Sequence, residues 1–137
     1  MNILKYLSFG IALVFVNHIS AFAHSDDESL KLTCSTLGSA IDVIAEFNFD
    51  HAAGTLEVYN SAGDLEQVYG VELSKEEVAA LTKGTEVTLM GKTSKSQSNA
   101  GATTQAVLFN IGKAGKSSKV REARFAKDSI VYTLTCR

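Results

Sequence analysis

The chain has 137 residues, with 13 Lys and Arg against 15 Asp and Glu, two cysteines, no proline and no tryptophan. That length suits one domain and excludes a multidomain array. A net charge of −2, with no basic run longer than two adjacent charges, argues against a bulk polyanion binder.

Residues 1–23 read as a secretory signal peptide. Lys5 supplies the positive start, 6–16 the apolar run, and Ala21-Phe22-Ala23 the small-x-small cleavage site. The run falls short of the ~20 apolar residues that span a bilayer, and no later stretch reaches that length. Cys34 follows Lys31-Leu32-Thr33 rather than small residues, which argues against a lipid anchor. Cleavage after Ala23 leaves a polar tail, 24–29, and a single β domain, 30–137, in the periplasm or outside the cell. An oxidising compartment makes Cys34 and Cys136 a disulfide. Closing a loop of about 100 residues contributes roughly 4–5 kcal/mol in the chain-entropy model.

Period-2 alternation predicts eight strands, at about 30–36, 41–49, 54–60, 65–72, 85–92, 103–112, 119–126 and 129–136. Leu30, Leu32 and Cys34 share a face of the first. Ile41, Val43, Ala45, Phe47 and Phe49 share a face of the second, and Ile130, Tyr132, Leu134 and Cys136 a face of the last. Both cysteines therefore point to the apolar side. Short turns are expected at 37–40, 50–54 and 61–64, and a longer Ser/Gly/Asn loop at 94–102. Gly112 and Gly115 are expected to supply positive φ angles around 113–118. One helix, about 75–82, separates the fourth and fifth strands. Ser74 and Glu77 form its capping box, Val78 and Leu81 its apolar spacing, and Lys83-Gly84 its stop.

Short connections imply an all-β, up-and-down antiparallel meander. An even strand count leaves the first and last strands antiparallel, and a disulfide between them closes the sheet as a barrel or a flattened sandwich. Strand reversal then gathers the tail 24–29, the loop with Asp50 and His51, the helix and 113–118 at one end. The opposite end collects 37–40, 61–64, 94–102 and the Lys127-Asp128 turn. Charge divides along the chain as well. Residues 24–86 hold thirteen acids and three lysines, whereas 87–137 hold nine Lys and Arg and two acids. Two solvated halves that attract each other across one fold account for this.

Three candidate chemistries arise. Cleavage before His24 gives a terminal histidine, whose α-amine and imidazole chelate one metal. His51 at the same end would complete three nitrogens, a set suited to Cu(II). In those two residues the arrangement resembles the histidine brace of copper-binding and copper-oxygenase proteins. Nucleophilic catalysis has no support, since no Gly-x-Ser-x-Gly elbow exists and the thiols are expected to be oxidised. Lys113, Lys116, Lys119, Arg121 and Arg124 form a basic stretch suited to a partner contact. Phe125 is its one aromatic, which argues against nucleic-acid stacking.

The plan of a signal peptide before a small disulfide-closed β-barrel resembles the small secreted lysozyme inhibitors of bacteria. The resemblance is of plan and carries no residues over. The sequence thus reads as a non-enzymatic, exported binding domain for a protein or small molecule, contacted through loops at one end. A copper-binding protein, and an envelope structural component or lysozyme-inhibitor-like protein, are the alternatives.

Overall fold

The computed structural model describes residues 28–93, 104–116 and 120–137. The strands are β1 (Ser29–Thr36), β2 (Ile41–Asn48), β3 (Ala53–Asn60) and β4 (Leu65–Glu72), then β5 (Val87–Lys92), β6 (Ala106–Ile111), β7 (Arg121–Lys127) and β8 (Ile130–Cys136). The helix α1 (Lys75–Lys83) separates β4 from β5. Each strand pairs antiparallel with its neighbours, and the ring closes in the order β1 to β8. The fold is the closed barrel rather than the flattened sandwich. β5 begins at Val87, two residues later than the alternation suggests, because Thr85 still donates its N–H to the Ala80 carbonyl as the helix ends.

Alternation fills the interior. Val43, Ala45 and Phe47 of β2 are fully buried, as are Leu56 and Val58 of β3. Tyr69 and Phe109 each meet Phe125 edge-on, with ring centroids 6.2 and 6.3 Å apart, the arrangement aromatic quadrupoles favour.

Cys34 and Cys136 face each other across the closing seam and are bonded, with Cα atoms 3.9 Å apart. Thr33 and Arg137 exchange N–H···O bonds of 2.9 and 3.0 Å beside them. Alternation then puts the cysteines at a non-hydrogen-bonded site, where opposed side chains come closest. Ser29 to Leu32 extend past this seam with β2 as their one ladder partner among the described residues, the stagger that barrel closure requires.

Two seams are narrow. β4 meets β5 at Gly70–Lys92 and Val71–Gly91, and β1 meets β8 at three positions. The barrel is therefore two four-stranded meanders, β1–β4 and β5–β8. Gly91 lets the first seam close: a Cβ there would lie 3.0 Å from both Tyr69 Cβ and Val107 Cγ2. Gly112 and Gly115, expected at positive φ, are not among the residues with that geometry. Gly112 is needed for close approach instead, because a Cβ would sit 2.8 Å from the Glu122 carbonyl oxygen.

The helix end of the barrel is closed by packing. Ser74 Oγ accepts from the Glu77 N–H, and Ser74 N–H donates to Glu77 Oε2 at 2.7 Å, so the capping box forms. Gly84, at φ 69°, ends the helix. Leu81 is buried, and Val78 and Ala80 pack on the core.

Candidate binding surface

Chain reversal places the β1–β2, β3–β4 and β7–β8 turns, the end of β5 and the start of β6 at the end opposite α1. This end carries apolar residues in unusual positions. Leu37 is fully exposed in the first of those turns, and Leu65 is half-exposed where β4 begins. On the outer wall, register aligns Met90 with Leu108, Leu108 with Ala126, and Ala126 with Val131. One apolar row thus crosses four strands on a parity that is mostly polar elsewhere, Ile44 and Val68 being exceptions. The next row, Thr88, Asn110, Arg124 and Thr133, is polar. There Asn110 Nδ2 donates to Thr88 Oγ1 at 2.9 Å.

The row borders a cleft. The β6–β7 ladder stops at Leu108–Ala126, although β6 continues to Ala106 and the β7–β8 hairpin runs on through its turn. Asp128 and Ser129 form that turn with φ of 51° and 66°. The parted elements leave a cleft of about 380 Å³, lined by Met90, Ala106, Val107, Leu108, Ala126, Ile130 and Val131 together with Lys127, Asp128 and Ser129. Ile130 and Tyr132 keep the inward parity expected of them. They lie beyond Thr36, where β1 ends, so Ile130 is half-exposed and Tyr132 only partly buried.

The barrel mouth adjoins this cleft. Lys127 Nζ lies 3.9 Å from Glu66 Oε2, linking β7 to β4. Tyr69 is fully buried, and its hydroxyl has no hydrogen-bond partner among the described residues. Burial raises its pKa above the ordinary 10.0, and the charges of Asp128 and Glu66 add to the effect.

The other sequence candidates are dispersed. His24 lies outside the described residues. His51 is exposed in the β2–β3 turn, its N–H donating to Asn48 Oδ1 at 3.0 Å. Among the described residues no group of three or more His, Cys, Asp or Glu is placed to hold a metal. Lys119 also lies outside the described residues. Lys113 and Lys116 are exposed at the helix end, whereas Arg124 stands on the outer wall. Arg121 is turned inward and is 6% exposed. Its guanidinium donates to the carbonyls of Gly112 and Thr85 at 3.0 and 3.3 Å, and desolvation lowers its pKa. These basic side chains therefore do not form one patch. The loop 94–102, a candidate contact, falls within undescribed residues.

Sequence reasoning missed the apolar row. Its signal is legible in retrospect: Met90, Leu108, Ala126 and Val131 each put an apolar side chain on the solvent parity of its strand. No helix among the described residues is long and apolar enough to cross a membrane. Comparison with protein-family models, curated proteins and solved structures finds no match.

Proposed function

We propose that the chain is a non-enzymatic, exported binding domain that meets its partner through the end opposite α1. One observation carries this reading. Of the seven large apolar side chains exposed among the described residues, six lie in the half of the barrel away from α1, Val120 being the exception. Contiguous exposed apolar surface on a soluble domain marks interaction sites, and loops on a rigid scaffold are where binding concentrates. Export is supported by the apolar run at 6–16 and by the disulfide, a bond that persists in oxidising compartments. Photo-crosslinkers at Leu37 and Leu65 should capture one envelope or extracellular partner, and one at Val120 should not. Leu37→Asp and Leu65→Asp should each abolish capture. Equal capture from all three positions would overturn the reading.

A second reading has one specific support. Phe49 donates its N–H to the Glu28 carbonyl at 2.9 Å. This brings the chain four residues downstream of His24 beside the turn that holds His51. A copper brace from these histidines predicts tight Cu(II) binding that an added residue before His24, or His51→Ala, abolishes. Binding should weaken as pH falls through roughly 6–7, since the nitrogens must be deprotonated. Unchanged affinity in both variants would remove the brace.

A further inference from the structure

The cleft beside β6 has a shape and chemistry more specific than an apolar patch. Seven apolar residues line it, and its volume lies in the range of small-molecule sites. Ala106 adds main-chain polar groups. The Thr93–Gln105 bond sets the odd positions of β6 toward β5, so the Ala106 N–H and carbonyl face the cleft. No ladder pair with β7 uses them.

Charge is concentrated at the rim. Lys127 lines the end of the cleft, and its one ion pair among the described residues is the 3.9 Å contact with the half-exposed Glu66. Such a pair is weak and readily exchanged. Lys92 stands across the ladder from Ala106 on the same outer face as Met90, and makes no ion pair among the described residues. Asp128 is the one acid lining the cleft. Lys127 is the cation and Asp128 the acid of the lining, with Lys92 and Glu66 beside them, so exchange of the Glu66 contact offers Lys127 to an anionic head on an apolar chain.

We propose that this cleft binds a single-chain amphiphile with an anionic head. The chain lies over Val107 between Leu108 and Ile130, and the head meets Lys127 in place of Glu66, with Lys92 nearby. This occupant is a specific case of the partner inferred for the same end, and rests on that reading.

The test is a ¹H–¹⁵N NMR titration of the disulfide-bonded protein with laurate below its micellar concentration, with dodecyl maltoside as the uncharged-head control. Laurate should give saturable shifts at the amides of Ala106, Leu108, Ala126 and Val131, and bind about fivefold tighter than the maltoside. Lys127→Gln should remove most of that difference. Glu66→Gln should tighten laurate binding about threefold by freeing Lys127, a gain that a purely structural ion pair would not produce. Val131→Asp, at an exposed position, should weaken it by more than about tenfold. Equal affinity for the two probes overturns the head-group assignment. Absent shifts, or shifts at these amides that follow protein concentration without laurate, overturn the site. Crosslinking from Leu37 and Leu65 reads the wider surface separately, so either result can fail alone.

Discussion

Two buried polar side chains show how the interior handles groups that water would otherwise solvate. The Tyr69 hydroxyl is buried without a partner among the described residues, a state that costs about 1–3 kcal/mol. Its raised pKa means the folded chain keeps the phenolic proton at pH values where the unfolded chain has released it. The associated stability is complete below pH 10.0 and declines as pH rises from there through the folded value. Tyr69→Phe should therefore stabilise the protein by about 1 kcal/mol at neutral pH and flatten the alkaline loss. Urea unfolding at neutral pH and above pH 10.0 reads both effects. Arg121 is the opposite case, a buried cation satisfied by two carbonyls from different connections. Arg121→Ala strands both carbonyls and empties the site, and should cost about 2–4 kcal/mol. Arg121→Met keeps the volume and should cost less. An alanine variant as stable as the parent in thermal unfolding would show that the two carbonyls find other donors.

Among the elements, the β7–β8 hairpin sets the shape of the candidate site. Its turn holds two non-glycine residues in the left-handed region, the backbone of a two-residue hairpin that favours Asn-Gly. Ser129→Gly should raise stability by about 0.5–1 kcal/mol, measured by the shift in urea midpoint, because it relieves that strain. A lower midpoint would mean that Ser129 makes a contact worth more than the strain. The hairpin also marks where the sequence stops being legible. Alternation assigned Ile130 and Tyr132 to the inward face, and that parity holds. Parity says which way a side chain points, not where the neighbouring strand ends, so it could not show that Ile130 overhangs Thr36. Helix α1 was fully legible because its capping signals are local. Arg121 was grouped with exposed cations by charge, although it shares parity with Ala123 and Phe125. Gly112 was read through φ, whereas its requirement comes from the Glu122 carbonyl on another strand, which no local pattern encodes.

At the scale of the whole molecule, the charge division and the architecture coincide. The acidic stretch 24–86 contains β1–β4 and α1, and the basic stretch 87–137 contains β5–β8. The Lys127–Glu66 pair and the disulfide both join one half to the other. The bond spans 102 residues of sequence, so its loss releases a large loop into the unfolded ensemble. Cys34→Ala with Cys136→Ala should lower stability by about 2–5 kcal/mol in urea unfolding. Thiol labelling of the unfolded, unreduced parent should find no free sulfhydryl, and two labelled cysteines would refute the bond.

The narrowness of the two seams has a kinetic consequence. Within each half every strand pairs with its sequence neighbour, so each meander forms through local connections, the longest being 93–105 between β5 and β6, at modest entropic cost. Joining the halves is a separate event. It resembles the docking of two oppositely charged bodies, which the field of each steers toward the other and which salt screens. Refolding of the reduced chain should thus split into a fast step indifferent to ionic strength and a slower one that high salt retards. With the disulfide intact the halves are tethered at one seam, and the slower step should lose most of its salt dependence.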